Sequence, residues 1–472
     1  MVCIPEKANK VNSAACYHDV QDLTARDSLD PHVFEFVADA YTHMRCLRQD
    51  QAIVLSGVSG SGKSETAKLI CDQLCVLALN GECHSTRAQY QMAYVGAVVE
   101  AFASAATAES QGATRAGCGR ISGAKLVAFG LDRWRVTDPR SAGERNFNVF
   151  SYLVHGSTSS ERQQWQLRHG DTQSFAYLAQ PQQRAGDDPA HAAQMMDQLR
   201  TALNVCGVGS RQQAHVLQVL SAILHLGNVR FGDAPDRSED AAVVHSPEEV
   251  DVCAQLLGVT SEALTAALLY KTALVGGDLC AVFLNTYGAH AQRDALARVL
   301  YHVLFYWLVD QINRNISDAK ATNHIALLQM YGFSLPSANS SPASFEQFAI
   351  NLANERLNGF VLCEVLGSDT GVARVTHDNA IGLLHVPAWS DWLQPMQLLA
   401  GDYVGRTRGG LVSAVEMHAA SEQVSDDIAL INHINRDHGQ HPSFVPGPPL
   451  SATHRQQPQF GIRHWMSDAP IQ

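Results

Sequence analysis

The sequence predicts an α/β fold, and three observations lead to that prediction. Segments with apolar residues at helical spacing alternate along the chain with short apolar runs. One such run, Ala52 to Leu55, continues directly into a glycine-rich turn and then into a helical pattern. No repeat with a period of about 20 to 50 residues is visible, which argues against solenoids and propellers. We therefore expect a central sheet flanked by helices.

The composition is that of a folded, acidic protein. Of 472 residues, 46% are hydrophobic and 17% are charged, so the chain can bury a core and is too poor in charge for a disordered protein. The 34 Lys and Arg residues against 46 Asp and Glu residues give a net charge of -12, which argues against a nucleic-acid partner. The first ten residues lack a signal-peptide core, and no apolar run is long enough to span a bilayer. We expect a cytoplasmic protein without a membrane span.

The first elements surround the glycine-rich turn. The stretch PHVFEFVADAYTHMRCLRQ, from Pro31, has helical spacing and a proline suited to the first turn. Ala52 to Leu55 is predicted to be a short buried strand, and the helix after the turn is expected to end near Leu79.

Two long core helices are predicted further along, at Arg211 to Leu226 and at Ala291 to Ile316. Between them, the acidic stretch from Gly232 to Glu249 has the composition of an exposed loop. His324 to Leu328 is a second candidate for a buried strand. The apolar stripe predicted for the second long helix consists of Leu296, Val299, Leu300, Val303, Leu304 and Trp307.

The glycine-rich turn fits the phosphate-loop pattern GxxxxGK[ST]. Glycines let the backbone curl so that successive N–H groups point at phosphate oxygens, and the following helix adds its positive N-terminal end. Lys63 is expected to reach the β- and γ-phosphates, and the Ser64 hydroxyl is expected to coordinate Mg2+. The expected nucleotide contacts in this loop are Gly57, Val58, Ser59, Gly60, Ser61, Gly62, Lys63 and Ser64.

Several further blocks, together with this loop, resemble the myosin motor head. In chain order they are PHVFEFVADAY, SGVSGSGKSETAK, VVEAFASAAT, ERNFNVFSYLVHG, LSAILHLGNVRF, MYGFS with SFEQFAINLANERL, GGLVSAVEMHAASEQVSDDIALINHINRDHGQHPSF and FGIRHW. The resemblance implies a P-loop NTPase of the myosin-head fold, with a largely helical upper subdomain and part of a lower one. We expect a poorly defined segment over 1–29, an incomplete motor-like domain over 30–465 and a tail over 466–472. No match to the converter or lever is visible, so light chains are not expected.

In this family, a loop called switch I ends in NxNSSRFG and closes on the γ-phosphate. The alignment we adopt places RAGCGR, from Arg115 to Arg120, against NxNSSR. Gly119 then stands where the family has a hydroxyl that ligates Mg2+, and Arg120 keeps the type of the family's arginine.

The family's second mobile loop, switch II, has the pattern DxxGFE, which the residues MYGFS align firmly. Gln329 replaces the aspartate that steadies the Mg2+ shell, and Ser334 replaces the glutamate that pairs with the switch I arginine. Gly332 keeps a backbone N–H for a γ-phosphate oxygen. Since losing a positioned transition-state contact costs orders of magnitude in rate, we expect ATP to be bound and hydrolysed slowly or not at all.

The sequence thus indicates a motor head that binds ATP or ADP with Mg2+, has impaired chemistry, and has the actin filament as a candidate partner in the cytoskeleton. Two alternatives stay open: a non-catalytic scaffold that uses the head fold, and an unrelated P-loop kinase or GTPase. Gly409 to Phe444 resembles the helix-loop-helix that contacts actin, although it is acidic and has few apolar anchors.

Two other features of the sequence are explained by ordinary structural roles. The helical residues Phe345, Phe348, Leu352 and Leu357 resemble the family's relay helix, and by themselves they indicate a core helix. Histidines 215, 225 and 302 are better explained as structural or surface residues than as metal ligands.

Overall fold

The structure is a computed structural model of the 472-residue chain, and it divides into two compact units. The first unit comprises Met1–Leu55 and Gly62–Met330, and the second comprises Ser56–Ser61 and Tyr331–Gln472. The residues that the structure describes are 32–78, 87–105, 113–114, 117–119, 125–137, 145–167, 172–179, 189–233, 241–275, 278–317, 323–333, 348–357, 410–420, 427–446 and 460–464.

The described part of the first unit is mostly helical. Its α-helices are α1 (Val33–Leu47), α2 (Lys63–Ala78), α3 (Arg87–Ala103), α4 (Asn148–Gly156), α5 (Ser159–Gln164), α6 (Pro189–Val205), α7 (Ser210–Asn228), α8 (Pro247–Leu257), α9 (Ser261–Leu269) and α10 (Thr286–Ile316). Short 3-10 turns lie at Arg133–Val136 and Thr172–Ser174. Its strands are β1 (Gln51–Leu55), β2 (Ser104–Ala105), β3 (Ala113–Thr114), β4 (Gly117–Gly119), β5 (Ala128–Phe129), β6 (Phe231–Asp233), β7 (Ala242–Val244), β8 (Tyr270–Val275), β9 (Asp278–Phe283) and β10 (Ile325–Gln329).

Within the described ranges, four strands form a mixed sheet in the order β1-β10-β4-β5, and β1 leads into the glycine-rich turn. β1 and β10 are parallel and pair from Gln51↔Ile325 to Leu55↔Gln329, so their carboxyl ends lie side by side. β4 is antiparallel to both β10 and β5. The other strands of this unit form the two-stranded pairs β2–β3, β6–β7 and β8–β9.

Local sequence explains where several of these helices begin and end. The His32 side chain caps α1 by accepting a hydrogen bond from the Phe34 N–H. Thr158 and Glu161 form a capping box at the start of α5. Gly258 ends α8 in the left-handed conformation, at φ 70°, which glycine adopts without steric cost.

Two apolar clusters hold the first unit together. The larger cluster surrounds α10, where the ring of Tyr301 is fully buried and stacks on Phe147 with centroids 4.9 Å apart. The Tyr301 hydroxyl donates to the Phe102 carbonyl at 2.6 Å, so this buried polar group is satisfied. The smaller cluster packs α1 and α2 on the sheet through residues that include Val37, Ile70 and Leu327.

The described part of the second unit contains three helices and one pair of short strands. The helices are 348–357 (α11), α12 (Leu411–Ala420) and α13 (Asp427–His438), and the strands β11 (Phe444–Val445) and β12 (Gly461–Ile462) pair antiparallel. Their shared core includes Leu411, Ile434, Phe444 and Ile462, with Phe348 and Leu352 packed against it.

The sequence predictions for the main elements are confirmed, with three corrections. β1 is a strand, but among the described strands it lies at the edge of the sheet, and Val54 is 37% exposed instead of buried. The stripe predicted for α10 is partly outside the core, because Val299 and Val303 are exposed while Tyr301 and residues near it fill the interior.

The third correction concerns the stretch from Gly232 to Glu249, which was predicted to be an exposed loop. Its described residues form the β6–β7 pair and the first turn of α8, where Pro247 takes the N1 position.

No single helix among the described residues is long and apolar enough to cross a membrane. By length and composition alone, α8 and α9 pass that test together as a pair bent by 112°.

Candidate functional site

The first residues of the glycine-rich turn belong to the second unit and are fastened to Phe333. The Phe333 N–H donates to the Gly57 carbonyl at 3.0 Å, and the Ser59 N–H donates to the Phe333 carbonyl at 2.8 Å. Val58 and Phe333 thereby form an isolated parallel bridge. The backbone after Gly332 therefore fixes the path of the turn.

These two hydrogen bonds limit which backbone N–H groups of the turn can face a phosphate. The Ser59 N–H is taken by Phe333, and the Ser61 N–H donates to the Val58 carbonyl at 3.3 Å. Gly60 lies between them with φ 78°, in the left-handed region that favours glycine. Its N–H makes no hydrogen bond to the described part of the chain, which leaves it available for an anion.

The remaining residues of the turn belong to the first unit, where helix α2 begins. Gly62 has φ 88°, and its carbonyl accepts both the Thr66 N–H at 2.9 Å and the Thr66 hydroxyl at 3.1 Å. Gly62, Lys63 and Ser64 thus occupy the N-terminus of a 16-residue helix. The N–H groups and the dipole of a helix N-terminus make such a position favourable for phosphate.

Lys63 is in an environment suited to binding an anion. Burial lowers the pKa of its ammonium group from 10.5 to about 8, because removal from water disfavours the charged form. A polyphosphate bound beside it would compensate for this loss of hydration.

Ser64 lies beside the end of the second parallel strand. The side-chain amide of Gln329 donates from Nε2 to the Ser64 Oγ at 2.8 Å. Gln329 thus occupies the position that the switch II alignment assigns to a carboxylate, and it presents a donor to the predicted Mg2+ ligand. Ser64 fits one ligand position of Mg2+, but the strand end offers no charged oxygen for the metal, since residues 323–333 contain no Asp or Glu. These residues do not fit a tightly held Mg2+.

The segment aligned with switch I lies next to this strand end. In β4, Gly119 pairs with Leu328 and Cys118 pairs with Gln329. Gly119 is therefore part of a sheet ladder. Arg120 and Ser334, the other predicted switch residues, lie outside the described residues.

A second contact at the switch II position was missed at the sequence level. The Phe333 ring meets the His464 ring edge to face with centroids 4.8 Å apart, and His464 Nδ1 lies 2.9 Å from Glu355 Oε1. His464 and Glu355 are both buried. The cue was the presence of a histidine in FGIRHW and of glutamates in SFEQFAINLANERL, but nothing in sequence spacing pairs residues 109 positions apart.

The other candidate features have structural roles. His225 lies in the core of the first unit between Glu249 and the Trp165 carbonyl, at 2.9 and 3.1 Å. Within the described ranges, no group of three or more His, Cys, Asp or Glu residues is arranged to hold a metal ion. Residues 348–357 form the predicted relay-type helix, while Phe345 lies outside the described residues.

The comparisons with known proteins point to one family. The model of the family "Myosin head (motor domain)" matches residues 9–371. "Chitin synthase 8" of Mycosarcoma maydis is 31% identical over 457 residues, and "Chitin synthase 5" of Cryptococcus neoformans is 32% identical over 452 residues; each alignment covers 93% of this chain and 22% of the relative. "Myosin-17" of Arabidopsis thaliana is 34% identical over 345 residues, covering 70% of this chain and 22% of the relative. The chain thus spans about a fifth of the length of these relatives.

The match covers most of the chain. It excludes the alternative that the chain is an unrelated P-loop kinase or GTPase. The chain therefore belongs to the myosin head (motor domain) family.

Proposed function

We propose that this chain is a myosin-type motor-like domain that binds ATP or ADP through residues Gly57 to Ser64. The observation that carries the proposal is Lys63, a partly buried ammonium group with a lowered pKa at the N-terminus of α2. The myosin head family binds nucleotide with Mg2+ in general, which supports the choice of ligand. We also infer the fuller architecture of the family, with helices on both faces of the sheet and the motor-like region extending over 30–465.

Hydrolysis by this domain is slow, because neutral side chains replace both carboxylates of switch II. Gln329 offers a neutral amide that donates to Ser64, and the neutral hydroxyl of Ser334 cannot replace a carboxylate that pairs with an arginine. Gly332 retains its backbone N–H for the γ-phosphate.

A single-turnover assay with excess protein over labelled ATP tests this point. The double variant Gln329→Asp/Ser334→Glu is expected to hydrolyse ATP about 100-fold faster than the wild type. Lys63→Ala in the same background should abolish the gain. The proposal of slow hydrolysis would be contradicted if the wild type hydrolysed ATP fast in a Lys63-dependent way and the double variant were no faster.

The position of β4 supports a second register for switch I. In the family pattern the loop precedes its strand, whereas β4 already occupies Gly117–Gly119. Shifting the alignment places ATRAG, residues 113–117, against SSRFG, so that Thr114, the last residue of β3, supplies the hydroxyl and Arg115 the arginine. The earlier register assigns these roles to Gly119 and Arg120.

The two registers are separated by comparing affinities for ATP and ADP. The arginine that meets the γ-phosphate should, when changed to alanine, weaken ATP binding more than ADP binding. We expect this selective loss for Arg115→Ala, with Arg120→Ala close to wild type. The reverse pattern would restore the earlier register.

Actin is the proposed partner, since myosin head relatives include motors of the cytoskeleton. In the second unit, α12 and α13 expose Met417 at 59% and Ile428 at 45%, and these are apolar anchors of the kind a protein interface needs. Cosedimentation with filamentous actin, with and without ATP, should give pelleting that falls when ATP is added. No pelleting under either condition favours a non-catalytic scaffold. We also propose that the protein lies in the cytoplasm, at or near the cytoskeleton.

A second candidate function rests on how far the relatives align. The two chitin synthases match 93% of this chain, whereas Myosin-17 matches 70%. We propose that this motor-like domain operates as part of, or together with, a chitin synthase. Antibodies against the domain should then detect a polypeptide several times larger than 51.2 kDa and precipitate activity that incorporates N-acetylglucosamine into insoluble polymer. A native polypeptide of about the length of this chain, with no such activity in the precipitate, would contradict this candidate.

A further inference from the structure

We infer that nucleotide binding by this chain is nearly independent of Mg2+, with Gln329 as the residue that determines this property. The inference rests on the proposed nucleotide binding through the loop. It follows from the hydrogen bond between the Gln329 amide and the predicted metal ligand Ser64.

A P-loop metal site depends on oxygen ligands from two segments of the chain. Mg2+ at such a site is held by the loop Ser or Thr and by an aspartate at the end of the neighbouring strand, together with phosphate oxygens. The cation prefers hard oxygen ligands and is attracted to carboxylates, which bind it directly or through its water shell.

In this chain, the side chain at the end of the neighbouring strand is an amide, Gln329. An amide nitrogen has no lone pair for a metal, and its N–H carries partial positive charge. Because Nε2 of Gln329 is 2.8 Å from Ser64 Oγ, that positive end of the amide points at the oxygen that would bind the cation. The strand pairing Leu55↔Gln329 fixes this position.

The acidic residues adjacent in sequence to Ser64 and to β1 have other partners. Glu65 follows Ser64 in sequence, but it pairs with Lys68 at 3.2 Å and is largely exposed. Asp50 precedes the opposite end of β1 and pairs with His324 at 3.1 Å. Lys63 and the N-terminus of α2 are then the positive groups that these residues offer to a polyphosphate, and neither requires a metal.

The test is a titration of the full chain with a fluorescent ATP analogue in excess Mg2+ and in excess EDTA. For the wild type, the two dissociation constants should agree within about threefold. Gln329→Asp should introduce a metal dependence of at least about tenfold, by weakening binding of the metal-free nucleotide and strengthening binding of the Mg2+ complex. Gln255→Glu, which makes a matched change of charge at an exposed position of α8, should leave the ratio unchanged.

Two different failures can be told apart. If the wild type binds through Lys63, as shown by loss of binding in Lys63→Ala, but loses more than about tenfold affinity in EDTA, the inference about Mg2+ is wrong and nucleotide binding stands. If neither condition gives binding that Lys63→Ala removes, the proposed function itself is wrong. The wild-type ratio decides the inference even if Gln329→Asp does not fold.

Discussion

At the scale of single residues, Lys63 makes affinity for nucleotide depend on pH. In the free protein, burial lowers the pKa of Lys63 to about 8. A bound polyphosphate favours the charged form, so the pKa in the complex is higher than in the free protein. Binding therefore takes up a proton as the pH rises through about 8, so affinity should be about twofold lower at pH 8 than in neutral solution and then fall by up to about tenfold per pH unit.

The measurement is a series of nucleotide titrations between pH 7.5 and 9.5. Lys63→Arg is the control, because its guanidinium stays charged over this range and should remove the fall in affinity. A wild-type affinity that stays level to pH 9.5 would show that the Lys63 ammonium does not face the phosphates.

Gly62 is a residue whose backbone conformation restricts substitution. A Cβ added there would meet no atom within 4 Å, but the residue has φ 88°. Gly62→Ala should therefore destabilise the first unit by about 1 kcal/mol through backbone strain alone. Gly96→Ala is the matched control, because a Cβ there also meets nothing within 4 Å and the position is inside helix α3.

The control should raise stability by about 0.5 kcal/mol, since alanine favours a helix over glycine. Urea denaturation followed by circular dichroism measures both changes. Equal shifts of the two variants would mean that the turn adopts another conformation in solution.

At the scale of elements, His225 and Glu249 join α7 to the start of α8 inside the core. Both ring nitrogens of His225 face acceptors, the Glu249 carboxylate and the Trp165 carbonyl, so a proton must lie between His225 Nδ1 and Glu249 Oε2. Glu249→Ala leaves the imidazole buried without its carboxylate and should cost about 3 kcal/mol.

The neighbouring Glu248 offers a close comparison. It lies in the same first turn of α8 but is exposed, so Glu248→Ala should cost about 0.5 kcal/mol. The two free energies of unfolding come from chemical denaturation under identical conditions. Similar values for both variants would show that the buried pair does not stabilise the junction of the two helices.

In the second unit, His464 and Glu355 join the β11–β12 strands to α11 and to Phe333. Removing the imidazole by His464→Ala leaves Glu355 buried and takes away the ring that packs against Phe333. The Phe333 carbonyl accepts the Ser59 N–H, so this N–H should become less protected.

Hydrogen exchange of the peptide containing Ser59, read by mass spectrometry, measures this effect. Exchange should be at least about tenfold faster in His464→Ala and unchanged in Arg463→Ala, since Arg463 is exposed on the same strand end. Unchanged exchange in both variants would show that His464 does not stabilise the hydrogen bond between Ser59 and Phe333.

At the scale of the whole molecule, sequence reasoning predicted what depends on local periodicity and motif. It placed α7 and β10 within two residues of their ends, because a helical apolar stripe and a short apolar run are local signals. It also predicted the family, because several blocks occur in a fixed order. The glycine-rich turn followed by α2 was predicted from the same kind of local pattern.

The features that sequence reasoning missed depend on which elements pack against each other. Periodicity gave α10 one apolar face, but packing in the larger core selects Tyr301 and leaves Val303 exposed. The use of the Ser59 N–H by Phe333 joins residues far apart in sequence, which no turn pattern indicates. The β6–β7 pair was missed because strands of three residues carry too little alternation to be distinguished from a loop.

The resemblance to chitin synthases was also absent from the sequence reasoning. Both kinds of relative align with more than two thirds of the chain, so a resemblance to the myosin head alone does not separate them. What distinguishes them is coverage, 93% of the chain against 70% for Myosin-17.

The central claim is that the residues Gly57 to Ser64 bind a nucleotide, and isothermal titration calorimetry with ATP tests it most directly. The wild-type chain should show saturable one-to-one binding, and Lys63→Ala should lose at least about 100-fold in affinity. Lys68→Ala should bind like the wild type, because Lys68 is exposed and paired with Glu65. Equal binding by the wild type and Lys63→Ala, or no heat of binding from the folded wild-type chain, would contradict it.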